Sequence, residues 1–282
     1  MTTVVETFFR AEALFVYVFL FLPIVVVVVF SFNATNRNVE DWQGLSLKWY
    51  QSALADSNIQ KALWNSATIA LINGILATTF GTMAALGLQR VHPRFRLAFD
   101  AVTYVSIIIP EIVIALASLI LFAGFRDLAN PVLATFQVGS GKPVQIQLGQ
   151  WSIIAAHVLF NTSLVLLLVR ARLTGMDRTL IEASQDLFAT PWRTFRQITF
   201  PQLLPAIVAG FLLAFTFSFD DFIIAFFVAG PETTLPIYIF SSIRRGVTPE
   251  INAVSTVIIC ASLALLFASR YLQNRRTGAS HA

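Results

Sequence analysis

Six stretches of this chain run for ~20 residues or more with almost no charge, and that dictates the solvent in which most of it folds. A helix of ~20 residues, rising 1.5 Å per residue, crosses the ~30 Å of hydrocarbon in a bilayer. The tracts fall at 13–32, 62–88, 97–122, 151–169, 204–229 and 251–269. Open strands leave backbone groups unsatisfied in lipid, so the expected class is an all-α membrane protein with six transmembrane helices. Composition agrees. Hydrophobic residues make up 56% and charged residues 12%, with mean hydropathy +0.73, whereas a soluble domain carries roughly 25% charged residues. The first tract starts where a signal peptide would. It is uncharged from Ala13 to Asn36, longer than a usual signal core, and no small-residue cleavage site follows, so it reads as a retained span.

The basic residues orient the spans. With the N-terminus inside, the inner segments hold Arg10, Arg90, Arg94, Arg96, Arg170, Arg172, Arg178, Arg193, Arg196, Arg270, Arg275 and Arg276. The outer segments hold Arg37, Lys48, Lys61, Arg126, Lys142, Arg244 and Arg245. Twelve of the 19 Lys and Arg thus lie inside, which predicts that both termini face the cytoplasm. The same scatter argues against nucleic acid as a partner despite a pI of about 9.6, because no dense basic run exists. Cys260 is the single cysteine, which excludes an intrachain disulfide and a Cys-based metal site.

The inner segment from Arg170 to about Leu203 is too long for a simple turn. Asp177 is placed to cap a helix opening at Arg178, with Glu182 and Asp186 near its positive end. Pro191 is expected to break that helix, and Trp192–Ile198 to form a second one ended by Pro201 and Pro205. Gly74, Gly81 and Gly87 in the second span suit close helix packing. Gly139-Ser140-Gly141-Lys142 has the look of a phosphate-binding loop. The first glycine of that motif falls at Phe136, however, and Pro143 follows the lysine, so no nucleotide site is read there. No catalytic triad, zinc motif or dinucleotide fingerprint appears, which points away from an enzyme. Asn33-Ala34-Thr35 matches the glycosylation pattern.

Within the inner segment, Glu182-Ala183-Ser184-Gln185-Asp186-Leu187, then Trp192, Phe195, Ile198 and Pro201, resembles the coupling motif of ATP-binding-cassette (ABC) importer permeases. The resemblance extends over nearly the whole chain. It implies a single permease domain over 1–282, of the type I ABC-importer fold, with a cytoplasmic coupling helix between spans 4 and 5. Glu182 would hold the helix end, and Leu187, Trp192 and Phe195 would supply apolar anchors for a groove in the ATPase. Phe188 stands where the family pattern has glycine, and its ring either fills a pocket in the partner or packs beneath the loop.

Two further stretches narrow the resemblance. Ser218-Phe219-Asp220-Asp221-Phe222, continuing to Leu235-Pro236, and Gly246–Ala253 look like the second permease subunit of the spermidine/putrescine importers. The chemistry fits such a cargo. Carboxylates within spans mark a substrate or ion path by default. Asp220 lies ~24 Å along its span from Leu204 and Glu111 ~21 Å from Leu97, a comparable depth. A dehydrated polycation needs such an acidic cluster at one level. Adjacent helical residues point ~100° apart, so one of Asp220 and Asp221 would be the contact and the other a support. Each acid also has a structural reading: Asp220 and Asp221 paired with Arg244 or Arg245, or Glu111 bonded to a neighbouring helix. Trp49 is expected either to stack on a cation or to anchor the interface, and His157 to be a packing residue.

The resemblance implies a heterodimer with a homologous permease, two copies of an ABC ATPase on the inner face, and a periplasmic or extracellular solute-binding protein. It implies no cofactor in this chain, since ATP binds the ATPase, and residence in the bacterial inner membrane. Two rivals remain at this point. One is an importer of the same build for another amine, amino acid, opine or phosphonate. The other is an ion-coupled secondary transporter that uses the acids as ion sites.

Overall fold

The computed structural model describes residues 2–35, 41–138 and 142–278. Arg37 and the Gly139-Ser140-Gly141 part of the loop noted above lie outside them. In chain order the helices are α1 (Thr2–Phe30), α2 (Lys48–Ala55), α3 (Ser57–Gly87), α4 (Pro93–Ile108), α5 (Glu111–Leu133) and α6 (Gln150–Thr174). There follow α7 (Thr179–Asp186), α8 (Pro191–Thr194), α9 (Phe200–Asp220), α10 (Ile223–Val228), α11 (Leu235–Arg245) and α12 (Pro249–Gly278). A two-residue antiparallel pair, β1 (Gln137–Val138) and β2 (Lys142–Pro143), sets Gln137 opposite Pro143.

Five stretches among the described residues are long and apolar enough to cross a membrane: Phe8–Phe30, α3, α5, α6 and Pro191–Asp220. The sixth expected span, 251–269, falls on α12. Two expectations are corrected. The third tract is not one helix, because α4 ends at Ile108 and Ile109-Pro110 is extended before α5 opens at Glu111. Proline lacks the N–H that would continue α4, and its ring disfavours helical backbone at the residue before it. The fifth tract breaks as well: α9 stops at Asp220, and Asp221 is extended at ψ 124°. All three intramembrane acids, Glu111, Asp220 and Asp221, therefore sit at helix breaks rather than along helix faces.

Pro201 and Pro205 do not end a helix either. The chain passes from α8 through a π-helical turn, Phe195–Thr199, straight into α9. Pro201 cannot donate to a carbonyl one turn back. The Phe200 N–H reaches five residues back to the Phe195 carbonyl, so the widened turn absorbs the proline without a break.

The chain forms two compact units, residues 1–60 with 238–282, and residues 61–237. In the first, α12 lies against α1 and α2. Asn33 is the hub of its loop: Oδ1 accepts from the Thr35 and Gln43 amides, and Nδ2 donates to the Asp41 carbonyl. Buried there, Asn33 is spent on the fold, which removes it as a glycosylation acceptor.

In the second unit α3, α6 and α9 make the core. Val165 of α6 is fully buried where a Cβ added at Gly81 of α3 would come within 2.8 Å of it and one at Gly210 of α9 within 3.1 Å. A Cβ at Gly74 would meet the Phe211 ring at 2.9 Å, whereas Gly87 has open space around it. Of the three glycines in the second span, two are packing positions and the third is not. Asn73, buried on α3, donates to the Ala214 carbonyl of α9 at 2.9 Å. Arg170 near the end of α6 forms a two-pronged ion pair with Asp100 of α4.

Candidate functional site

Glu111, Ser218 and Asp221 come together in the second unit, at the α4–α5 and α9–α10 breaks. Ser218 is buried in the last turn of α9. Asp221 follows the helix end, and its carboxylate turns back on the next segment. Oδ2 accepts from the Ala225 amide at 2.9 Å and Oδ1 from the Ile224 amide at 3.4 Å, which satisfies the exposed start of α10. Glu111 is the first residue of α5, the helix that packs against α10. The acids were expected at one level, and Glu111 and Asp221 stand at or just before the starts of two helices, α5 and α10, that pack together.

His157, expected to be a packing residue, completes the cluster. Its Nε2–H donates to Asp221 Oδ2 at 3.0 Å, and its Nδ1 shares a 2.7 Å bond with Ser218 Oγ. The His157 side chain is 2% exposed and that of Asp221 is 6%. One signal could have found it: an ionisable side chain inside a span needs a partner, and the nearest unassigned acids were Asp220 and Asp221.

Asp220 behaves differently. It is exposed, and among the described residues it has neither a hydrogen bond nor an ion pair. Because the helix ends between the two aspartates, the argument from a 100° helical offset does not apply; the break itself divides them into one buried and one open carboxylate. Trp49 belongs to the first unit. Its indole N–H donates to the Asn33 and Thr35 carbonyls at 3.1 Å each, and Lys48 Nζ lies 4.9 Å from the ring centroid. Among the described residues no group of three or more His, Cys, Asp or Glu is arranged to hold a metal ion.

The segment between α6 and α9 carries the other candidate residues. Asp177 Oδ1 accepts from both the amide and the hydroxyl of Thr179, at 2.9 and 2.8 Å, so α7 starts one residue later than expected. Those bonds hold the Asp177 carboxyl below the usual carboxylate range. Glu182 is in the first turn of α7, exposed with Ala183, but Asp186 is the last helical residue and not near the positive end. The helix stops before Pro191 because Phe188 takes φ 58°, the left-handed conformation that usually falls to glycine. Its amide bonds the Gln185 carbonyl and that of Ala189 bonds the Ser184 carbonyl, closing the helix end.

A buried 2.7 Å bond between the Ser184 and Thr194 hydroxyls pins α7 to α8. What this scaffold presents is apolar: Leu187 is 81% exposed, Phe188 95% and Trp192 68%, with Trp192 stacked on Phe195 at 5.6 Å. Phe188 therefore does not pack beneath the loop. Pro201, exposed, lies at the start of α9 just beyond the π-turn.

Compared with known proteins, the chain matches the family described as binding-protein-dependent transport system inner membrane component over residues 77–275. It is 32% identical over 248 residues to the spermidine/putrescine transport system permease protein PotC of Escherichia coli (strain K12), covering 88% of this chain and 86% of that one. It is 40% identical over 248 residues to the putrescine transport system permease protein PotI of the same organism, covering 87% and 83%. Among solved structures it resembles a bacterial ABC transporter involved in import of the acidic polysaccharide alginate, with a TM-score of 0.72 over 95% of this chain and 94% of that one at 15% identity. It also resembles inward-facing conformations of the MetNI methionine ABC transporter, with a TM-score of 0.56 over 77% and 95% at 16% identity. At such identities the likeness is one of fold.

Proposed function

This chain belongs to the family of binding-protein-dependent transport system inner membrane components, and from that membership we propose that it forms half of an inward path for polyamines such as putrescine and spermidine. It is a permease subunit of an ABC importer. In our reading residues 1–282 form one permease domain that pairs with a homologous permease. Two ATPase copies bind and hydrolyse ATP, and a periplasmic binding protein delivers the cargo. The chain lies in the bacterial inner membrane with both termini in the cytoplasm, which places the segment between α6 and α9 on the ATPase side.

The observation that carries the cargo assignment is Asp220. It is an exposed carboxylate with no basic partner among the described residues, at a helix break beside the half-buried Glu111 and the buried carboxylate of Asp221. A carboxylate left open within a span is costly unless a cation completes it. The relatives whose names specify spermidine or putrescine support the same choice. Fold alone does not select cargo, since the alginate and methionine transporters share it.

Two measurements test this reading. Calorimetric titration of the cognate binding protein should give micromolar or tighter affinity for putrescine or spermidine, and no heat with either would sink the cargo assignment. In proteoliposomes, Asp220→Asn should lower uptake of the dication while the complex still assembles; unchanged uptake would make the acid structural.

On the coupling side, Leu187, Phe188, Trp192 and Phe195 form the apolar anchor for the ATPase. Glu182, Ala183 and Asp186 form the exposed face of the coupling helix, and Pro201 closes the motif.

A further inference from the structure

Next to the open carboxylate lies a buried side chain that the family motif does not include. His157 sits within α6 and is held at both ring nitrogens, by Ser218 on one side and Asp221 on the other. Those two partners lie on opposite sides of a break: Ser218 in the last turn of α9, Asp221 in extended backbone after it. One ring therefore bridges the discontinuity from a different helix. The remaining bonds to Asp221 come from its own downstream amides. Held by three donors and 6% exposed, the Asp221 carboxylate is withdrawn from an ammonium group, whereas Asp220, one residue earlier, is exposed and has no hydrogen bond or ion pair among the described residues. A buried carboxylate stripped of a donor pulls on whatever else can satisfy it, so the state of the break depends on this ring.

We infer that His157 is the positioning residue of the path: bonded to Ser218 and Asp221, it holds the α9–α10 break in the turn that seals Asp221 inside and leaves Asp220 open to cargo. This rests on the reading of Asp220 as the cargo contact.

The test uses the complete transporter in proteoliposomes, with uptake expressed per assembled complex. His157→Gln keeps an amide that reaches Asp221, and His157→Asn keeps a partner for Ser218 but falls short of Asp221. We expect Gln to retain at least about a third of wild-type putrescine uptake. Asn should lose about tenfold or more, the scale of losing a hydrogen bond to a charged group, with ATP hydrolysis stimulated by the loaded binding protein retained. Equal losses in the two variants, or no loss in Asn, overturn the assignment.

If the wild-type complex takes up no putrescine, the cargo reading falls. The clamp is then decided by thermal unfolding of the purified complex. His157→Asn and Asp221→Asn combined should lower the midpoint no further than the worse single variant; additive losses overturn the clamp.

Discussion

Phe188→Gly separates the folding role of this position from its contact role, because the two effects have opposite signs. Phe188 sits at φ 58°, where an L side chain costs roughly 1–2 kcal/mol. Glycine removes that strain and gives back roughly 0.5–1 kcal/mol in chain entropy, so the permease should unfold no more easily than wild type and up to about 1.5 kcal/mol less easily. The ring is 95% exposed, so nothing inside this chain is lost with it. If the ATPase buries the ring, the lost transfer energy is about 1.5–3 kcal/mol, roughly a tenfold to hundredfold weaker association. Thermal unfolding of the detergent-solubilised permease pair gives the first number, and titration with purified ATPase gives the second. Phe188→Ala serves as the control, since it keeps the strain and loses the ring. Equal ATPase affinity for wild type and Phe188→Gly would refute the anchor role, and a lower unfolding midpoint for the glycine variant would refute the strain argument.

Other consequences follow from the same geometry. Glu182→Ala should weaken ATPase association or uncouple hydrolysis from uptake while the binding protein still docks; normal coupled uptake would remove Glu182 from the mechanism. Gly81→Ala forces a methyl against Val165 and should destabilise the bundle by about 1–3 kcal/mol, read as a lower unfolding midpoint. Gly87→Ala, with open space around it, should be near neutral, and equal effects at the two sites would contradict the packing described for α3. The cap on α7 should depend on pH. Because Asp177 is held below the usual carboxylate range in the fold, its contribution is present above that range and is lost as pH falls through the lowered value. Amide exchange at Thr179 should accelerate there in wild type, while Asp177→Asn, still able to accept the bond, should show no such step.

Hydropathy determined the spans, and it did so robustly because crossing a bilayer is a sum over ~20 residues that tolerates any single exception. The stretch from Glu182 to Pro201 was legible for a similar reason: several positions at fixed spacing mark one exposed surface. Single residues within those windows decided what the sequence alone left open. Pro110 turned one expected span into two helices, and Asp220 ended another, both placing acids at breaks that a continuous-helix reading spread along a face.

Only tertiary packing selected between Asp220 and Asp221. The deciding partner, His157, is 64 residues away on another helix, and nothing local distinguishes two adjacent aspartates. Phe188 was visible as a departure from pattern, but its left-handed backbone and its outward ring depend on the helix end and on the Ser184–Thr194 bond that fixes the segment around it. Composition measures what a segment prefers as solvent. Which carboxylate stays open depends on which donors the fold brings within 3 Å of it, and that is set by the packing of α6 against α9.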